Sequence, residues 1–246
     1  MVNWGSYQDR ISAIGSTKRG TALKREQGYL TRKIKDSLSY QTVDIDGTEQ
    51  EIAMIDSDNL DIKFAISLPG ETIRHGSLIT WENNHWLVIE LDAHREVYTK
   101  AKLQQCNHLL KWMLEDGTVH EQWCYVEDGT KYLTGEMEDR YFVVTRGDSR
   151  IAITLAKNEY SVKLDRTSRF LIDDPDSPLK LSYQLTKPIK MNNVFENVGV
   201  FKFVLQEVNS TIYDDMENGI ADYYKYHLDE MPNLPDPTAP DRRGWL

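Results

Sequence analysis

The chain is poor in cysteine, with two in 246 residues, and modest in proline, with eight. Two thiols cannot build a disulfide framework, so they are expected to be reduced. No run approaches the ~20 apolar residues of a membrane-crossing helix. The opening MVNWGSYQDR holds no hydrophobic leader core, so the sequence reads as a protein made and kept in a cytoplasm. Positive charge is also scarce: 29 Lys and Arg face 39 Asp and Glu, a formal net charge of -10. A general nucleic-acid binder needs a basic face to release counterions, so this balance argues against that class.

Recognisable site motifs are lacking too. The six histidines (75, 85, 94, 108, 120 and 227) form no HExxH or close pair, and the two cysteines lie eighteen apart, so metal-ligand spacing is absent. GSTKRGT at Gly15–Thr21 has P-loop glycines but neither the Lys-Ser/Thr pair nor a preceding apolar strand. There is no G-x-S-x-G elbow and no dinucleotide fingerprint. Arg146-Gly147-Asp148 reads as an ordinary turn, and the sequon at Asn209-Ser210-Thr211 has no meaning without secretion. No cofactor is implied.

What is present suffices for a core: 40% apolar residues, six Trp and thirteen Tyr. Between Arg10 and Lys35 there are eight basic residues and one acid, so this stretch carries +7 and the rest of the chain -17. An acidic body with a basic N-terminal arm points to a partner that has an acidic surface of its own. Residues 1–40 read as a helical arm, with Leu23, Leu30, Ile34 and Leu38 on one face.

From residue 41 the pattern changes to successive strands, and the expected fold is mainly β: tandem small barrels or sandwiches. A turn at Asp46-Gly47 marks a hairpin, Pro69-Gly70 and Asn83-Asn84 mark breaks, and Asp116-Gly117 marks a second hairpin. A polar, turn-rich stretch places a domain boundary near residue 130. This gives a first β domain at 41–130, a second at 131–212, and a C-terminal helix or strand with a Pro-rich tail at 213–246. DIKFAI…HGSLITWENNHWLVIE and SRIAITL…RTSRFLIDDPDSPLKLSYQLT read alike, strand for strand. Internal duplication and chance similarity between hairpins both account for that. The tail MPNLPDPTAPDRRGWL carries four prolines and should be extended, with Trp245 as a candidate anchor.

The stretch KLQQCNHLLKW raises the question of a nucleophile and base at Cys106 and His108. Positions i and i+2 of a strand share a face. Nothing nearby supplies an oxyanion hole or lowers the thiol pKa, so a structural strand is the default reading. On that reading Cys106 and Cys124 lie on paired strands of one hairpin. Trp81, Trp86 and Tyr98 are candidate stacking platforms for a nucleic-acid-binding barrel.

HGSLITWENNHWLVIELDAHREVYTKAKLQQCNHLLKW resembles a pattern in small β-rich head–tail connector proteins of tailed bacteriophages of Gram-positive hosts: head-closure or stopper, adaptor and neck proteins. RFLIDDPDSPLKLSYQLTKP, GVFKFVLQEVN, the pair Asp214-Asp215 and GIADYYKY resemble their companion domain, so the likeness covers about residues 40–226. The resemblance implies a non-enzymatic virion protein, assembled in the host cytoplasm. It would form a sixfold or twelvefold ring below the portal and retain or pass packaged double-stranded DNA without reading its sequence. A tail-completion or tail-tube-associated role is the alternative. Lys18, Arg19, Lys24, Arg25 and Trp245 are the expected contacts to portal or neighbour.

Overall fold

The computed structural model describes residues 5–9, 17–92, 96–128, 150–174, 177, 180–191 and 193–232. The protein is mainly β, with two six-strand antiparallel barrels preceded by a helix. A helical turn, α1 (residues 5–9), precedes α2 (Lys18–Lys35). Thr17 caps α2 by accepting from the Gly20 N–H at 3.1 Å, and Arg32, Lys33 and Lys35 in the last turn complement the helix dipole. Only Ile34 is buried; it packs with Ala53 and Leu68, flanked by Leu30. Leu38, expected on that inner face, is fully exposed at 101%, because the helix ends at Lys35 and the periodicity ends with it.

The first barrel comprises β1 (Tyr40–Ile45), β2 (Thr48–Asp56), β3 (Ile62–Ser67), β4 (Leu78–Trp81), β5 (Asn84–Asp92) and β6 (Lys100–Gln105). Its strand order is β1-β2-β3-β6-β5-β4, closed by pairing of β1 with β4. Alternate residues fill the interior: Val43 and Ile45, Ile52 and Met54, Trp86 and Val88, Ala101 and Leu103. Asp46 (φ 51°) and Gly47 (φ 82°) form the left-handed two-residue turn that matches strand twist. The β4–β5 turn is Glu82-Asn83, one residue earlier than expected, and Asn84 already pairs with Trp81.

The second barrel comprises β7 (His108–Met113), β8 (Val119–Asp128), β9 (Arg150–Ala156), β10 (Arg169–Ile172), β11 (Leu181–Ile189) and β13 (Val198–Val208). The two-residue β12 (Val194–Phe195) pairs with β13. The order is β10-β11-β13-β9-β8-β7, with β10 brought against β7, where Phe170 meets Trp112 edge to face. Leu110, Trp112, Ile153, Leu155, Phe170, Leu185, Phe201, Phe203 and Leu205 form its core. Full burial of such side chains is worth ~1.5–3 kcal/mol each.

The expected boundary near residue 130 is corrected by this pairing. β7 and β8 belong to the second barrel, so the division falls between Gln105 and His108. No Gly or Pro marks that junction, so the sequence reads through it as one strand.

Numbered from its first strand, each barrel follows the order 1-2-3-6-5-4 around the wall. The correspondence pairs β3 with β9, β4 with β10 and β5 with β11, the same segments that read alike in sequence. A bulge strengthens it. The β5–β6 register shifts between Val88 and Glu90, and the β11–β13 register shifts between Leu185 and Lys187. The extra residue, Ile89 or Thr186, is the sixth of its strand in both cases. A bulge inverts which side chains face inward beyond it, so Leu91 rather than Glu90 packs toward the first core.

After β13 the chain is not a continuous helix. Asp215 bridges Ile220, Gly219 and Asp222 take positive φ, and the only α-helical turn among the described residues there is α3 (Tyr223–Tyr226). The Asp215 carboxylate accepts from the Glu217 and Asn218 N–H groups, a tight turn that helical spacing alone does not reveal.

Candidate functional site

Three places bring chemistry-bearing residues together: the outer face of α2, the seam between the barrels, and an ionic cluster beneath the C-terminal segment. On α2, Lys18, Arg19, Lys24 and Arg25 are all exposed. Arg19 is tied to Glu96 on the first barrel, and Lys35, in the last turn, pairs with Glu51 at 2.8 Å. Among the described residues no acidic side chain pairs with Lys18, Arg25, Arg32 or Lys33. Trp245, the fifth expected docking residue, lies outside the described residues, as do Arg146-Gly147-Asp148 and most of the Pro-rich tail.

At the seam the linker has no length. The Cys106 N–H donates to the His85 carbonyl at 2.8 Å, extending the β5–β6 ladder of the first barrel. The next residue belongs to the second barrel. The Asn107 N–H donates to the Cys124 carbonyl at 3.2 Å, and its side-chain amide both accepts from and donates to the Val126 backbone at 2.8 Å. Leu87, Cys106 and Val200 pack across the junction, and His85 stacks on Trp123 with centroids 4.2 Å apart. His75 donates from Nε2 to the Ile89 carbonyl at 2.9 Å and meets Phe195 of β12 edge to face. Gly76 (φ 83°) lies so near Gly199 that a Cβ on it would sit 2.2 Å from the Gly199 carbonyl oxygen.

Cys106 and His108 are therefore seam and strand residues. Burial pushes the Cys106 thiol up to about 12 and the Cys124 thiol higher still, the opposite of an activated thiolate. Both are free thiols, and His108 is the residue paired with Cys124 across the β7–β8 hairpin. Burial also lowers the His108 pKa, with Lys180 adding to the effect. Of the candidate stacking platforms, Trp86 is buried in the first barrel, and Lys63 lies over both Trp81 and Trp86.

A cleft of about 380 Å³ opens along the seam, lined by Asp46, Arg74 and His75 from one barrel and His120, Glu121 and Lys157 from the other. Its two carboxylates and two cations balance, so it has no marked preference for a charged ligand. Among the described residues no three His, Cys, Asp or Glu side chains are grouped to hold a metal ion.

Under the C-terminal segment, Arg169 of β10 donates to Asp214 at 2.8 and 2.9 Å, to Asp222 at 2.7 Å and to Ser182 at 2.7 Å. Burial alone would raise the Asp214 pKa. Hydrogen bonds from Arg169 and from the Thr211 and Asp222 N–H groups outweigh it and hold the carboxyl below its ordinary 3.8. This clamp fastens the segment after β13 to the second barrel. Sequence spacing could not pair Arg169 with residues 45 and 53 positions away. No protein-family model, curated protein or solved structure matches the chain.

Proposed function

We propose that the chain is a non-enzymatic structural protein of a tailed-phage neck. It forms a ring below the portal that joins head to tail and helps retain or pass the packaged DNA. The observation that carries this reading is the likeness of the two strand-rich stretches to head–tail connector proteins. A basic, outward-facing arm on a two-barrel body supports it. An acidic channel wall would repel DNA only at close approach, since the Debye length is ~8 Å at physiological salt. Locating the protein in intact particles by electron microscopy tests the proposal. Density between portal and tail is expected, and density on the tail tube would favour the tail-completion alternative instead.

The arm would meet an acidic face of the portal or of a neighbouring subunit through Lys18, Arg19, Lys24 and Arg25. Neutralising all four should weaken docking to the portal, read by co-sedimentation of purified components. Arg19 contributes less than Lys18 or Arg25, because Glu96 already holds it.

A further inference from the structure

We propose that the outer face of α2 docks on the C-terminal segment, residues 207–230, of a second copy of this chain. The proposal supplies the subunit contact of the suggested ring, and to that extent it rests on that reading. α2 carries seven basic residues and one acid. Its inner face lies toward the first barrel through Leu30 and Ile34, which leaves Lys18, Arg25, Tyr29, Arg32 and Lys33 outward. At 100° per residue, Lys18, Arg25, Tyr29 and Arg32 fall on one stripe, and at 1.5 Å per residue it is about 21 Å long. No described acid neutralises its cations within the chain.

The complementary surface has the opposite charge and its own exposed apolar groups. Between Glu207 and Glu230 there are seven acids against Lys225. Asp214 and Asp222 are consumed by Arg169, and Lys225 pairs with Asp222. Glu207, Glu217, Asp229 and Glu230 stay exposed, beside the exposed Ile212, Tyr226 and Leu228. The clamp holds this segment in a fixed shape, so it can present a docking face without ordering on contact. One chain therefore carries both halves of a heterologous, head-to-tail contact, the kind that closes into rings.

Charge reversal tests it. One variant carries Lys18→Glu, Arg25→Glu, Arg32→Glu and Lys33→Glu; a second carries Glu207→Lys, Glu217→Lys and Asp229→Lys; a third carries both sets. All seven side chains are exposed, and circular dichroism checks that each variant folds. Sedimentation velocity of the full chain is followed over concentration at about 0.01 M and about 1 M salt, where the Debye length is ~30 Å and ~3 Å. The wild type should self-associate at low salt and dissociate at high salt. Either single set should weaken association by about tenfold, the combined worth of several exposed pairs, and the doubly reversed chain should regain it. A wild type that stays monomeric at low salt, or a doubly reversed chain that does not recover, overturns the proposal. If the first set abolishes portal binding and leaves self-association unchanged, the arm serves the portal alone and the proposal is overturned. Particle microscopy tests the neck reading separately.

Discussion

Arg169 is 10% exposed at its side chain and Asp214 is fully enclosed. Removing one member of such a pair leaves a buried charge uncompensated, so Arg169→Met should cost about 3 kcal/mol or more in urea denaturation. The pair also sets an acid limb. Asp214 has a lower pKa folded than its ordinary 3.8, so its contribution is complete above that value and is lost as pH falls below it. Arg169→Met should flatten that limb. Gly76 makes a steric prediction: Gly76→Ala places a methyl group 2.2 Å from the Gly199 oxygen at φ 83°. A loss of about 2 kcal/mol or more is expected, since neither backbone can retreat cheaply. For the thiols, a disulfide reagent near neutral pH should label neither Cys106 nor Cys124 until the protein is unfolded. On the proposed neck role Cys106→Ser should leave particles infectious, whereas a cysteine hydrolase would lose all activity.

The elements at the seam carry four of the six histidines, and burial lowers the pKa of His75, His85, His108 and His120. A histidine with a depressed folded pKa stabilises the fold above its ordinary 6.5 and loses that contribution as pH drops below it. The urea midpoint should therefore fall between about pH 7 and pH 5. His75→Gln retains a donor for the Ile89 carbonyl but cannot ionise, so it should blunt the fall. Turns announced by Asp46-Gly47 and Asp116-Gly117 were legible from sequence because Asp46, Gly47 and Gly117 take left-handed backbone and the Asp116 side chain accepts from the Thr118 N–H. The β6–β7 break was not. At Cys106-Asn107 the hydrogen-bond partner changes from the first barrel to the second, which no local residue preference records. The C-terminal segment, read as a helix or a strand, holds only a short piece of each for a related reason: Asp215 and Arg169 draw the local hydrogen bonds into a turn and a clamp.

For the molecule as a whole, the barrel class and the likeness of its halves were readable, because alternation of apolar residues survives in nearly every strand. That both barrels share strand order and bulge position explains why the same segments read alike, and it favours duplication over chance. The site was less legible. The basic arm is a matter of composition and was visible at once, whereas the seam and the clamp join residues far apart in sequence. One unfolding transition, coincident by tryptophan fluorescence and circular dichroism, is expected for the paired barrels. Asn107→Ala removes two hydrogen bonds to the Val126 backbone and should cost ~1–3 kcal/mol, separating the transition into two.

The zero-length joint has a mechanical meaning. Flexible linkers between domains absorb work by stretching and reorienting before they transmit any. Here Cys106 is hydrogen-bonded into one barrel and Asn107 into the other, with Gly76 against Gly199 and His85 on Trp123 alongside. A pull on the first barrel therefore reaches the second with little slack, and the pair behaves as a stiff strut rather than two beads on a string.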